Sequence, residues 1–220
     1  FQAAFGDETI TVDRIALALA QFVRAIVSYR SPFDTGLAQT GNIGAAFPSF
    51  SATENQGKGL FLGPARCATC HLTGGGGGGG GPGGGGPGGG GPLANQAIFQ
   101  MDDPANNGLD AGPVEADNGI GDVSGNAQDN GVFKSPSLRN TELAGPYMHD
   151  GRFDTLDEVV AFYNNGVENH PQLDNRLRGP NGQPRNLNLN GQQRAALVDF
   201  LETLTDDDLL VDERFSDPFE

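Results

Sequence analysis

Cysteine is nearly absent from this 220-residue chain: there are two, and methionine is equally scarce. Two thiols exclude a disulfide framework, and without a second C-x-x-C they cannot complete a structural zinc site. Basic residues are few as well. Lys plus Arg total 13 against 28 Asp plus Glu, and the net charge of −15 argues against nucleic acid or an anionic membrane as a partner. No apolar run reaches the roughly 18 residues of a spanning helix, so no membrane span is expected, and no leader pattern opens the sequence. The three histidines fall in no H-E-x-x-H, and G-x-S-x-G does not occur, so the common hydrolase constellations are missing. Strand-type alternation is almost lacking, which leaves a mainly α chain.

What is there begins with Cys67-Ala68-Thr69-Cys70-His71, the C-x-x-C-H attachment signature of a c-type haem. The two thiols are spaced to add across the vinyl groups of one porphyrin. The adjacent His71 imidazole is placed to serve as proximal ligand. One covalent haem c is therefore expected. Because such attachment takes place outside the cytoplasm in bacteria, a periplasmic or otherwise exported protein follows, with its targeting segment removed.

Around this signature the sequence punctuates helices. Thr11 is a plausible N-cap for a helix carrying Ile15, Leu19, Phe22 and Ile26 on one face, and Ser31-Pro32 reads as its end. Residues 35–50 read as an irregular connector, which divides the chain into a helical segment and connector at 1–50 and a haem domain at 51–220. Capping boxes at Ser51-Ala52-Thr53-Glu54 and Thr155-Leu156-Asp157-Glu158 open two helices, the second with Val159, Val160, Phe162 and Tyr163 as apolar faces, and Asn190 caps a third carrying Ala196, Leu197, Phe200, Leu201 and Leu204. A helix before the signature and a terminal helix crossing it make a class I cytochrome c-like domain, with an N-terminal helical extension and long irregular loops. Residues 74–92 hold only Gly and Pro and read as a low-complexity insertion unable to build a core.

A second axial ligand has four candidates: Met101, Met148, His149 and His170. Met148 stands in Gly145-Pro146-Tyr147-Met148-His149-Asp150-Gly151, whose Pro and Gly favour a tight loop, whereas a core role for so adaptable a side chain is the alternative. Arg139 is a candidate partner of a haem propionate, with an ordinary salt bridge equally open, and Lys134 can play the same part. Asp102, Asp103, Asp110, Glu115, Asp117, Asp122 and Asp129 gather in a loop-like stretch whose oxygens suit calcium, although the spacing is not that of an EF-hand.

The run Phe133-Lys134-Ser135-Pro136-Ser137-Leu138-Arg139-Asn140, with Gly145 to Phe153 and Thr155 to Val160, resembles the C-terminal haem domain of the bacterial di-haem cytochrome c peroxidases, a family that includes the MauG-like proteins. Ala4-Phe5-Gly6-Asp7, Ser31-Pro32-Phe33-Asp34, Asn107-Gly108-Leu109-Asp110 and Arg214 to Phe219 are similar too, so residues 1–50 read as a remnant of the inter-domain region. The resemblance implies His71 and Met148 as the axial pair of the haem where electrons arrive. It also implies a small redox protein as donor, a cytochrome c or cupredoxin, and calcium between the domains. Peroxide would be cleaved at a second haem, on another domain or chain, so this chain alone is expected to transfer electrons. The alternative is a mono-haem cytochrome c subunit of a larger redox assembly without catalytic activity of its own.

Overall fold

Capping chemistry sets where the helices begin. The computed structural model describes residues 1–73, 99–100, 104–114 and 117–217. The Gly/Pro insertion at 74–92, Met101 and the acidic residues Asp102, Asp103 and Glu115 lie outside the described residues. The helices are α1 (Gln2–Phe5), α2 (Val12–Ala25), α3 (Pro32–Thr40), α4 (Ala52–Leu62), α5 (Ile120–Ser124), α6 (Leu156–Ala161), α7 (Gly191–Glu202) and α8 (Asp207–Leu210). Leu72–Thr73 pairs antiparallel with Phe99–Gln100 in a two-stranded ladder. Full capping boxes at Ser51, Thr155 and Asn190 start α4, α6 and α7 where the sequence places them.

Ser31-Pro32 is a start and not a stop. The Ser31 hydroxyl accepts the Asp34 N–H, the Asp34 carboxylate accepts the Ser31 N–H, and Pro32 opens α3, so the connector expected at 35–50 is helical through Thr40. Proline serves both ends of a helix, since at the first turn its missing N–H costs nothing.

Contacts divide the chain into two units, residues 1–30 with 206–220 and residues 31–205. Residues 31–50, expected to belong with the N-terminal segment, group by contact with residues 51–205. In the first unit, the Asp206 carboxylate accepts the backbone N–H groups of Tyr29 (2.9 Å) and Arg30 (3.0 Å) and caps α8 through the Leu209 N–H. The acidic run thus opens a short helix, at the end where the dipole favours negative charge. The edge of Phe22 meets Phe215 at 5.9 Å.

In the second unit α3 shares a core with α4 and α7 because its apolar residues are buried there. Phe33, Phe47, Phe61 and Phe200 are essentially inaccessible and meet pairwise, tilted or edge to face, at centroid distances of 5.1–6.0 Å. Each such pair contributes about 0.5–1.5 kcal/mol beyond area burial. α4 crosses α7 at Gly57, where an added Cβ would stand 1.8 Å from the Ala196 carbonyl oxygen. Lys58, 3% exposed, donates to the carbonyls of Ile43 (2.9 Å) and Ala45 and lies 3.5 Å above the Phe47 ring, tying the 41–50 loop to α4.

Gly57→Ala should therefore cost about 1–3 kcal/mol through overpacking, whereas Gly59→Ala, facing open space on the same helix, should gain a few tenths to about 1 kcal/mol; urea unfolding measures both. Desolvation lowers the Lys58 pKa from 10.5 to about 8, so between these values the unfolded chain binds the proton more than the folded one. Stability contributed by this group rises with pH across that window. The rise should vanish in Lys58→Met, and equal pH slopes for the two proteins would refute the assignment.

Candidate haem site

The C-x-x-C-H segment forms a single 3₁₀ turn, Cys67–Thr69, directly after α4. Its geometry presents both cysteine sulfurs and the imidazole to one cavity of about 580 Å³, within the roughly 300–1,000 Å³ typical of cofactor sites. Phe61, Leu197 and Leu201 of the crossing helices and Leu156 and Val160 of α6 give it apolar walls. Burial pushes the Cys67 thiol up to about 12 and raises that of Cys70 as well.

His71 Nδ1 lies 3.2 Å from the Pro136 carbonyl oxygen. A carbonyl only accepts, so Nδ1 carries the proton and Nε2 keeps its lone pair for a metal. Burial lowers the His71 pKa, against the raising effect of the Pro136 carbonyl, and holds the ring in that neutral form. Pro136 belongs to the segment that carries the family resemblance, which gives that segment a physical task at the site.

Across the cavity stands the loop of Met148. Its backbone is left-handed, with φ at 72°, a conformation costing a non-glycine residue about 1–2 kcal/mol. The loop is held by the Tyr147 N–H donating to Phe153 O (2.7 Å), by the Tyr147 hydroxyl donating to Thr141 O (3.0 Å), and by Arg152, which reaches Leu109 O (3.0 Å) and Asp110 (3.0 Å). Arg152 thereby clamps the Met148 loop to segment 106–110. There the Asn107 amide donates to Met148 Sδ (3.6 Å) and to the Tyr163 hydroxyl oxygen (3.3 Å). Gly108, with φ at 71° and Glu168 O only 2.7 Å from where a Cβ would stand, lets the chain turn so tightly behind Asn107.

Tyr163 was not among the candidates from the sequence. It lies on a π-helical turn, Phe162–Gly166, that extends α6, and it lines the same cavity as Met148. Burial pushes its hydroxyl up to about 12, against the lowering effect of the Asn107 hydrogen bond. The signal that could have found it was an aromatic with a polar handle about two turns beyond a capped helix start.

The other candidates separate. His149 faces the cavity edge, stacked on Phe133 at 3.7 Å and 11°. His170, 2% exposed, lies away from the cavity, and its Nδ1 accepts from the Gln172 N–H (2.9 Å) and faces the Asn106 amide (3.1 Å). It fixes the 106–108 turn. Arg139 takes the salt-bridge alternative: its guanidinium grips Asp34 in two bonds of 2.8 and 2.7 Å, and it is not on the cavity wall. The carboxylate it meets lies 105 residues away, beyond the reach of local sequence reading. Lys134, Arg66, Arg176 and Arg185 do line the cavity. Among the described residues no group of three or more His, Cys, Asp or Glu is arranged to hold a metal ion. The described acidic residues are engaged locally: Asp110 with Arg152, Asp117 and Asp122 with backbone N–H groups, Asp129 with Ser124.

The residues present fit a haem: a mostly apolar slot, two sulfurs on one turn, an imidazole with its outer nitrogen free, and cations at the wall. Over its whole length the chain matches the structure of a MauG-like protein associated with microbial copper homeostasis, at a TM-score of 0.71 and 26% identity, covering 65% of that chain. The architecture is accordingly the mainly helical, cytochrome c-type fold of MauG-like proteins.

The sequence comparisons carry the assignment further. The chain is 31% identical over 210 residues to a cytochrome c551 peroxidase of Nitrosomonas europaea and 32% identical over 206 residues to the methylamine utilization protein MauG of Methylorubrum extorquens, covering 94% and 93% of this chain and 48% of each relative. It belongs to the cytochrome c peroxidase and MauG family. No family model matches it. The chain spans about half the length of the curated relatives it matches. Among the described residues, no helix is long and apolar enough to cross a membrane.

Proposed function

We propose that this chain carries one covalent haem c and transfers electrons, as the half of a di-haem cytochrome c peroxidase-like oxidoreductase where electrons arrive. The observation that carries the reading is the shared cavity of Cys67, Cys70 and His71, with His71 Nδ1 engaged by Pro136 and Nε2 left for iron. Bound there, a haem would supply a one-electron ferric/ferrous couple. Cys67 and Cys70 would hold the ring by thioether bonds, His71 would bind the iron, and the apolar walls would keep water from it. Peroxide cleavage is assigned to a second haem, carried by a further domain or chain, and the electron donor to a small cytochrome c or cupredoxin. The net charge of −15 favours a donor with a basic face, so the association rate should fall as salt rises. A periplasmic or otherwise exported location goes with covalent attachment.

For the sixth position Met148 remains the proposed ligand, supported by a loop that fixes its side chain at the cavity wall in a strained backbone conformation. A second reading has a specific observation behind it. The Tyr163 hydroxyl shares the Asn107 amide with Met148 Sδ, so oxygen and sulfur stand side by side on the same wall. Sulfur ligation raises the reduction potential; a phenolic oxygen suits an iron that spends its time oxidised.

Pyridine haemochrome assay and intact mass should give one haem per chain, retained after denaturation and lost as a covalent adduct in the Cys67→Ser, Cys70→Ser protein. Met148→Ala should lower the midpoint potential and abolish the weak near-infrared sulfur-to-iron band. If that band is absent from the start and Tyr163→Phe alone changes the ferric spectrum, the oxygen reading holds. Rapid peroxide turnover by the mono-haem chain by itself would sink the division of labour.

A further inference from the structure

Four cations line the cavity, and their surroundings differ. Arg66 and Lys134 are exposed, so water balances their charge. Arg176 is half-buried and paired with Asp174, through Nε at 2.8 Å and Nη2 at 2.7 Å, and also donates to Thr69 O on the cysteine-bearing turn (3.1 Å). Arg185 is the exception. Its backbone N–H donates to Leu177 O (2.7 Å) and its Nη2 to the Arg178 carbonyl (3.0 Å), which aims the guanidinium from a fixed stretch of chain. Its Nε is buried and has no partner, and among the described residues no carboxylate pairs with it.

A guanidinium stays charged at any pH a protein survives, and a half-buried one lacking a counter-ion is costly. A guanidinium that lines a cavity and has no carboxylate of the protein beside it is a ready charge-assisted donor to a carboxylate entering that cavity. The group that fits the cavity brings such carboxylates with it, the propionates on the haem periphery. We propose that Arg185 holds a haem propionate, replacing Arg139 in that role, with the Arg176–Asp174 pair as its neutral flank. The proposal rests on the haem reading above. It makes Arg185 a positioning residue that sets the seat of the ring and tunes the iron, since a fixed cation beside the macrocycle favours the reduced state.

The test uses the holoprotein, assayed first for haem content. A wild-type chain without haem would defeat the functional reading itself, independently of Arg185. With haem in place, Arg185→Gln should lower the midpoint potential in spectroelectrochemical titration and shift the propionate bending band in the resonance Raman spectrum. Arg139→Gln should leave that band where it is. Unchanged potential and band in Arg185→Gln overturn the proposal, as does a shifted band in Arg139→Gln alone. Should the glutamine protein fail to retain haem, Arg185→Lys decides: it keeps the charge but loses the fork, so the band should move while the potential stays closer to wild type. An unmoved band in the lysine protein refutes the assignment.

Discussion

The close approach of α4 to α7 at Gly57 is the constraint on which the rest of the second unit depends. Only hydrogen fits between that backbone and the Ala196 carbonyl. With the helices held this near, Phe61 and Phe200 meet in the core at 5.1 Å, while Leu197 and Leu201 turn toward the cavity. The cysteine-bearing turn leaves α4 from this crossing, with the Ala65 N–H bonded to Leu60 O (3.0 Å) as the chain departs. Sulfur positions in the haem cavity are therefore inherited from a helix–helix distance fixed by the absence of a side chain.

Charge is distributed with similar economy. In a chain with only 13 basic residues, Arg66, Lys134, Arg176 and Arg185 all border one cavity. Arg139 and Arg152 serve the scaffold around it, one pinned to Asp34 of α3 and the other to Asp110 and Asp150. Acidic residues dominate elsewhere. The molecule thus keeps an anionic exterior for encounter while gathering positive charge where a cofactor with carboxylates would sit.

Much of this was legible in the sequence because it rests on local chemistry. C-x-x-C-H and the caps at Ser51, Thr155 and Asn190 are short-range patterns, and the helices begin where those patterns say. Ser31-Pro32 misled because proline marks either end of a helix; Asp34, three residues after Ser31, was the discriminating sign. The arginines could not be sorted, since whether Arg139 or Arg185 faces the cavity depends on pairing over long sequence distances. Tyr163 stayed hidden among Val159, Val160 and Phe162, whose aromatic and branched side chains read simply as a core face. Its hydroxyl gains meaning only through Asn107, which sits 56 residues away.

The π-helical turn at Phe162–Gly166 divides α6 between two cores. Val160 packs with the phenylalanine cluster of α3, α4 and α7, while Phe162 joins Leu109, Val167 and Leu173 in a second one, with Tyr163 packed against it. A wider turn accommodates one residue more than a regular α-helix would, and so resets the angular phase of everything after it. The lesion this site tolerates least is consequently a change of length. Deleting one residue of α6 ahead of it would rotate Tyr163 by about 100° about the helix axis, the angle per residue of an α-helix, and withdraw its hydroxyl from the cavity although Tyr163 itself is unchanged. Lineages with this wall would be expected to vary its residues far more readily than their number.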